Sequence, residues 1–251
     1  MPTRKSPEQI ERMREAGRIV AECHELMRDM ARPGVRTRDI DREVERLIRR
    51  RGGEPAFLGY RGYPASICAS VNDEVVHGIP NRRRLEEGDI LSVDVGVNLG
   101  GWYGDAANTL PIGSVSAEAQ ALIEAAYEAL RRGIEAARAG GRLSDIGRAV
   151  QSYAEGRGYG VVRQYVGHGI GRAMHEDPQV PNFVSPELLR NDLVLEPGLV
   201  LAIEPMLNQG THETRVRRNG WTVVTRDGKL SAHVEHTVAI TEQGPRILTL
   251  P

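Results

Sequence analysis

Residues 90–109 read ILSVDVGVNLGGWYGDAANT and place two acids, Asp94 and Asp105, in segments typical of strands. The first half is apolar, Asn-Leu-Gly-Gly supplies turn residues, and a second strand-like segment follows, so the pattern predicts a β-hairpin. We expect the turn to be centred between Leu99 and Gly100, which would place the two carboxylates directly opposite each other, with Cβ atoms roughly 4.5–5.5 Å apart. Like charges so placed repel, and a bound cation is the simplest way to stabilise them. The hairpin therefore predicts a metal site.

Composition narrows the class of protein. The chain has 251 residues, 40% of them hydrophobic, and a formal net charge of -1, so it can bury a substantial core but carries no basic footprint for nucleic acid or an anionic membrane. Two cysteines, Cys23 and Cys68, have no zinc-clamp or disulfide spacing. With no signal peptide and no apolar run of the ~18–20 residues that span a bilayer, we expect a cytoplasmic protein. The chain's two lysines, Lys5 and Lys229, stand among many arginines and suggest no function by themselves.

Helical and strand patterns alternate along the chain. Helices are expected from the Ser6 cap to about residue 32, over residues 37–51, 116–138 and 144–155, and strands over residues 159–166 and 200–205. The Asp-Gly pair at 227–228 predicts a second hairpin.

An internal repeat relates two parts of the chain. Residues 31–52 match residues 137–158 at ten of 22 positions, including glycines and apolar residues at structurally meaningful places. The sequence thus predicts one α+β domain with approximate two-fold internal symmetry, in which helices of both halves cover a shared sheet.

Four acids lie in or at the end of apolar strand-like segments: Asp94, Asp105, Glu204 and Glu235. Taken singly, each is more simply explained as an edge or solvent-facing residue. Together with His168, which is flanked by glycines, they form an oxygen-rich ligand set with one nitrogen, suited to paired Mn, Fe, Co or Zn ions. Five side chains fill two coordination spheres only if carboxylates bridge, which implies two ions ~3.5–4 Å apart.

These motifs resemble those of type I bacterial methionine aminopeptidases, from about Ser6 to Thr249. The matching segments are VDVG around Asp94, YGDAA around Asp105, GHGIG around His168, AIEP around Glu204 and VEHT around Glu235, with VNDEVVHGIP ending at Pro80 and MHEDPQVPN starting at Met174. The resemblance implies the pita-bread fold, an α+β architecture in which helices cover a curved, mostly antiparallel sheet. It also implies a single catalytic domain over residues 1–251, with pseudo-symmetric halves of about 6–112 and 113–251 and no targeting or zinc-finger extension.

The resemblance implies a role for each metal ligand. His168 and Glu204 would complete the first metal, Asp94 would chelate the second, and Asp105 and Glu235 would bridge both. Glu204 would also act as the acid/base for a bridging water. The cofactor would be two divalent ions per chain, Co, Mn, Fe or Zn.

Further residues would bind the substrate. His77 and His175 would hydrogen-bond the scissile amide and stabilise the tetrahedral intermediate, although without the resemblance His77 is more simply a loop histidine. An apolar side-chain pocket would use Tyr60, Tyr63, Cys68, Met174 and Trp221. Two departures concern this pocket: Met174 stands where many relatives have Phe, and Arg61 where some have His.

The implied reaction is removal of the initiator methionine from nascent proteins and peptides whose second residue is small, by attack of a metal-bridging water or hydroxide on the amide. Expected partners are an N-terminal Met peptide or nascent chain and, transiently, the ribosome; we expect no sequence-specific nucleic acid, no membrane and a monomer.

Two alternatives stay open. Xaa-Pro aminopeptidases and prolidases share the ligand constellation but usually carry an extra N-terminal domain. The second alternative is a non-catalytic relative that keeps the fold as a binding module, although such a relative would be expected to lose metal ligands.

Overall fold

Five α-helices carry much of the chain in the computed structural model, which describes residues 2–251. They are α1 (Pro7–Met30), α2 (Thr37–Arg50), α3 (Ala117–Ala136), α4 (Leu143–Glu155) and the short α5 (Pro186–Arg190). Within residues 2–251 no helix is both long and apolar enough to cross a membrane. The four long helices lie close to their predicted bounds.

The start of α1 illustrates how the sequence sets a helix boundary. The Ser6 hydroxyl accepts a hydrogen bond from the Gln9 amide at 3.3 Å, and the Ser6 amide donates to the Gln9 side chain at 2.9 Å. This capping box satisfies two amides that have no partner within the helix, and Pro7 occupies the first helical position, where no amide hydrogen is needed.

Fifteen strands pair antiparallel throughout residues 2–251. They are β1 (Glu54–Pro55), β2 (Cys68–Val71), β3 (Glu74–Val76), β4 (Ile90–Leu99), β5 (Trp102–Pro111), β6 (Gly160–Val161), β7 (Gly167–Gly169), β8 (Glu176–Val180), β9 (Val200–Ile203), β10 (Met206–Asn208), β11 (Thr214–Val216), β12 (Val223–Thr225), β13 (Ser231–His233), β14 (His236–Thr241) and β15 (Gly244–Ile247). One sheet pairs β4 with β1, β2 and β5, and a second runs β15-β14-β9-β7-β8; two smaller sheets run β13-β10-β6 and β11-β12-β3.

The expected single sheet is thus divided into four, but its two large parts meet at the centre. Ala107 of β5 and Glu235 exchange backbone hydrogen bonds of 2.8 and 3.4 Å. The Thr237 hydroxyl donates to the Asp105 carbonyl at 2.8 Å and accepts from the Asp105 amide at 3.0 Å. Hydrogen bonds therefore join the two large sheets, and the α+β class and pita-bread fold predicted from the sequence are confirmed.

The register of the β4–β5 hairpin differs from our prediction. Leu99 pairs with Trp102, so the turn is centred between Gly100 and Gly101, and both glycines have positive φ (58° and 80°), as a two-residue type I′ turn requires. Asp105 consequently faces Gly96, two residues beyond Asp94. Since side chains alternate with period two, the aspartates still share one face, as diagonal neighbours and not as a directly opposed pair.

The repeated segments adopt the same local structure. α1 and α3 end in caps at Ala31 and Ala137, which are equivalent in the repeat. Gly34 and Gly140 both have positive φ (88° and 83°), and their amides donate to the carbonyls of Leu85 and Leu195 at 2.7 and 2.8 Å. Two separate hydrophobic clusters follow, one between α1, α2 and the β4 sheet, the other between α3, α4 and the strands of the later part of the chain.

Two strand predictions were wrong. The strand expected over residues 159–166 is limited to β6. The turn at Asp227-Gly228 forms, with the Asp227 carboxylate accepting from the Lys229 amide at 3.1 Å, but it joins no hairpin. β12 pairs with β3 and β11, whereas β13 pairs with β10, because strand partners distant in sequence compete successfully with the neighbour across the turn.

Candidate metal centre and substrate pocket

The four acids lie where strands of the two large sheets meet. Asp94 and Asp105 lie on the inner face of the hairpin, and Glu204 lies between the end of β9 and Pro205. Glu235 lies between β13 and β14, held against β5 by its hydrogen bonds to Ala107. All four line one pocket, so residues from both parts of the chain build a single acidic site.

Burial and mutual repulsion make this cluster costly in its ionised form. Burial, followed by the neighbouring carboxylates, holds the pKa values of Asp94, Glu204 and Glu235 well above the usual range. Burial also raises the pKa of Asp105 to about 7, and the Asp105 carboxyl in turn raises the pKa of Asp94. A cluster of this kind needs either protons or cations to be stable.

His168 supplies the nitrogen atom among the five predicted metal ligands. Its Nε2 lies 3.8 Å from Asp105 Oδ2 and 3.7 Å from Glu204 Oε1, while Nδ1 is 2.9 Å from the Gly169 carbonyl, which orients the ring. Burial lowers its pKa to about 3, so the imidazole is neutral and Nε2 can offer a lone pair. Gly167 is required beside it, because a Cβ there would overlap the Ala202 carbonyl of β9.

The residues present fit a metal. Asp94 Oδ1, Asp105 Oδ1 and Glu235 Oε1 are buried side-chain atoms without a hydrogen-bond partner in residues 2–251. Asp105, His168 and Glu235 can bring one ligand atom each within 4.8 Å of one another. Unpartnered buried oxygens beside a neutral imidazole are the donors that a divalent transition metal binds.

His233 is a site residue that the sequence analysis missed. Its Nε2 lies 3.4 Å from Glu204 Oε2 without forming a hydrogen bond, and burial lowers its pKa to about 3. With Glu204 and Glu235 it forms a second group of possible ligands. The sequence spacing could have indicated this role, because His233 lies two positions before Glu235, and residues two positions apart on an extended chain face the same side.

The pocket continues from the acids into an apolar end. The cavity measures about 150 Å³, and its apolar walls come from Phe57, Tyr60, Tyr63, Cys68, Met174 and Trp221. Gly96, opposite Asp105, makes room for this wall, because a Cβ there would lie 2.8 Å from Phe57 and 2.9 Å from Met174. Phe57 was not predicted, and no pattern in the sequence distinguished it from an ordinary core residue.

Tyr63 and Trp221 are fixed within the wall. The Tyr63 hydroxyl donates to the carbonyls of Ile67 and Gly78 at 3.1 and 2.9 Å, and its ring meets Trp221 edge-on at 5.1 Å. The wall is therefore shaped before any ligand arrives.

Aromatic and basic groups form a column from the pocket mouth to His168. The His175 ring lies 4.1 Å from His168 and stacks on Tyr60 at 5.3 Å, and the Arg61 guanidinium lies 5.4 Å from the centre of the Tyr60 ring. Burial, followed by Arg61, lowers the pKa of His175. These contacts keep a neutral imidazole at the entrance to the acidic site.

His77 approaches from another side, meeting Tyr165 edge-on at 5.6 Å, and has a positive φ of 59° that is uncommon for a histidine. Burial lowers its pKa to about 4. The structure thus gathers every predicted site residue into one pocket, together with Phe57 and Arg61.

Comparisons with known proteins agree with this geometry. Residues 11–242 match the model of metallopeptidase family M24. The chain is 52% identical over 247 residues to the methionine aminopeptidase of Clostridium acetobutylicum and 49% identical over 245 residues to methionine aminopeptidase 1 of Bacillus subtilis, covering 98% of both chains in each case. The crystal structure of methionine aminopeptidase from Thermotoga maritima superposes with a TM-score of 0.96 at 42% identity over the whole of both chains. The chain therefore belongs to metallopeptidase family M24, as a hydrolase of its methionine aminopeptidase group.

Proposed function

We propose that the protein removes the N-terminal initiator methionine from nascent proteins and peptides whose second residue is small. The observation that carries this proposal is the make-up of the pocket: the carboxylates and a neutral imidazole share one cavity of about 150 Å³ with an apolar wall. A cavity of about that volume accommodates roughly one benzene-sized group. A single side chain therefore fits beside the acids, which suits an enzyme that cleaves after one residue.

Two divalent ions per chain, Co, Mn, Fe or Zn, would be held by Asp94, Asp105, His168, Glu204 and Glu235. When bound, they would offset the carboxylate repulsion and supply Lewis-acid activation of water and of the substrate carbonyl. His168 and Glu204 would serve one ion, Asp94 the other, and Asp105 and Glu235 both. The proposal is supported by the raised carboxyl pKa values and by the unpartnered buried oxygens of this set.

Glu204 would move the proton in the reaction. Its carboxyl is less enclosed than those of Asp105 and Glu235, and its Oε1 and Oε2 face His168 and His233 respectively. In this position it can take a proton from the attacking water and deliver it to the leaving amine, as general base and then general acid.

His77 and His175 would bind the scissile amide. Both are neutral, so each can donate one hydrogen bond and accept another, and both line the same pocket as the acids. Such donors stabilise a developing oxyanion when they are held before the reaction begins. The stacking of His175 on Tyr60 and the edge contact of His77 with Tyr165 provide that restraint.

Peptide hydrolysis tests the proposal. Chelated and metal-reloaded protein would be assayed with Met-Ala-Ser, Met-Leu-Ser and an Xaa-Pro peptide. We expect metal-dependent turnover of Met-Ala-Ser and at least roughly tenfold slower cleavage of Met-Leu-Ser, since one misplaced apolar group is worth about 1–3 kcal/mol. Equal turnover of the two Met peptides would disprove the size limit, and faster cleavage of the Xaa-Pro peptide would favour the prolidase alternative. Metal-independent peptide binding without cleavage would favour the binding module.

The wider assignments belong to the same proposal. We infer a monomer acting in the cytoplasm on nascent chains, with transient ribosome association and with no nucleic-acid sequence or membrane as its target. We also infer one catalytic domain whose halves, about 6–112 and 113–251, each contribute ligands. Cosedimentation with translating ribosomes and light scattering would test the association and the oligomeric state.

A further inference from the structure

We propose that Lys5 is a positioning residue that, through Glu176, orders the loop carrying Met174 and His175; this inference rests on the proposed substrate-binding role of His175. The Lys5 ammonium bonds Glu176 Oε2 at 2.7 Å, and the two side chains are only 3% and 15% exposed. Residues 5 and 176 are far apart in sequence, so the pair joins the segment before α1 to the edge of the pocket. No other ion pair in residues 2–251 has two such buried side chains, apart from those of the candidate metal centre.

Glu176 organises the loop directly. Its Oε1 accepts hydrogen bonds from the amides of Arg172 and Ala173, at 2.7 and 3.1 Å. Burial opposes ionisation of this carboxyl, but the bonds from Lys5 and from these amides hold its pKa below the ordinary value. The carboxylate thus closes residues 172–176 into a compact loop, and His175 lies within it.

Lys5 itself is held in place. Its amide donates to the Gly198 carbonyl at 2.7 Å, and its ammonium donates a further hydrogen bond to the Thr3 carbonyl at 2.9 Å. The side chain passes directly over Gly171, where a Cβ would overlap it. A flexible unbranched stem with a compact charge suits this narrow path, whereas a planar guanidinium would need more room.

The consequence for the site follows from the position of His175. Its ring must remain between Tyr60 and His168, at 5.3 and 4.1 Å, to face a substrate amide. Loss of Lys5 would leave the Glu176 carboxylate nearly enclosed and without its cation, and the carboxylate would then move towards water. The amides of residues 172 and 173 would lose their acceptor, and His175 would lose its fixed position.

Lys5→Met removes the charge while keeping the stem, and it would be compared with Glu176→Gln and with the double variant. Arg4→Met is the matched control, because Arg4 is the adjacent residue and its ion pair with Glu196 is exposed on both sides. Each would be made in the wild-type and His175→Ala backgrounds. The measurements are kcat and KM for Met-Ala-Ser with metal-loaded protein, and hydrogen exchange of residues 171–176 in the chelated protein.

We expect Lys5→Met to lower kcat about tenfold or more in the wild type, since a shift of about 1 Å can cost a factor of a hundred. In the His175→Ala background the same change should alter kcat less than twofold, because its effect passes through His175. Exchange of the Arg172 and Ala173 amides should accelerate at least tenfold. The double variant should recover much of the loss, because the neutral carboxamide introduced by Glu176→Gln can still accept from the two amides without leaving a charge unpaired.

Equal loss of kcat in both backgrounds would overturn the inference, since that is the result of general destabilisation. Unchanged amide exchange in Lys5→Met would overturn it whatever the kinetics. If His175→Ala itself leaves kcat unchanged, the proposed role of His175 fails and the kinetic part of the inference with it, while faster exchange would still show that Lys5 orders the loop.

Discussion

Replacing Asp105 by asparagine should stabilise the metal-free protein at alkaline pH while weakening its response to metal. Burial raises the pKa of Asp105 from 3.8 to about 7. A group whose pKa is raised on folding binds more protons in the folded state between those two values, so its contribution to stability falls as pH increases from about 4 to 7 and then levels off. This rise in pKa corresponds to a loss on the order of 4 kcal/mol in the free energy of unfolding once the Asp105 carboxyl is ionised.

The assay is urea unfolding in the presence of a chelator at pH 8 and at pH 4.5. Asp105→Asn should be more stable than the wild type at pH 8, by up to about 4 kcal/mol, and the difference should shrink to about 1 kcal/mol at pH 4.5. The buried histidines, with lowered pKa values of about 3 for His168 and about 4 for His77, destabilise both proteins at low pH, so their contribution largely cancels in the difference. What remains is the effect of Asp105 together with its effect on the neighbouring carboxyls, whose pKa values it raises. Asp29→Asn, at an exposed position of α1, is the matched control and should change little.

Metal should narrow this difference in stability. A ligand that binds only the folded state at a hundred times its Kd stabilises it by about 2.7 kcal/mol, so excess Mn²⁺ should stabilise the wild type by about this amount and Asp105→Asn by much less. The reasoning would be refuted if Asp105→Asn were no more stable than the wild type at pH 8 without metal, or if its advantage were the same at both pH values.

Three further results are expected. Met174→Ala should raise KM for Met-Ala-Ser roughly tenfold with a smaller change in kcat. The reason is that the buried Met174 side chain would contact the substrate in both the ground state and the transition state, and this contact is lost. A change confined to kcat would contradict this prediction. Gly104→Ala should destabilise the protein by about 1–3 kcal/mol in urea unfolding, because its Cβ would lie 2.9 Å from the Gly17 amide nitrogen, and an unchanged midpoint would disprove that contact. Iodoacetamide at pH 8 should label Cys68 in unfolded but not in native protein, because burial, followed by Asp94, raises the pKa of its thiol; equal labelling rates would show that the thiol is accessible.

The positions of the helices could be predicted because their determinants are local. The Ser6–Gln9 capping box and the glycine that follows α2 act over a few residues, and their hydrogen bonds form in the structure as expected. The internal repeat was visible for a similar reason: Gly34 and Gly140 need positive φ at equivalent turns, and few other residues tolerate it. The motifs likewise identified the pocket residues, since each acid and histidine occupies a short segment of characteristic composition.

The pairing of distant segments could not be predicted in the same way. The hairpin turns at Gly100-Gly101 and not at Leu99-Gly100, and this register places Gly96 opposite Asp105 and beside Phe57 and Met174, which lie elsewhere in the sequence. The partners of β12 and β13 were likewise decided by strands elsewhere in the chain.

The sequence by itself therefore determined the helices, the repeat and the acidic residues that line the pocket, because these are marked by patterns within short segments. Only the tertiary structure brought His233 to Glu204 and Lys5 to Glu176. Both contacts join residues that are far apart in the chain, and their formation depends on the burial of whole sheets and helices, which no short pattern encodes.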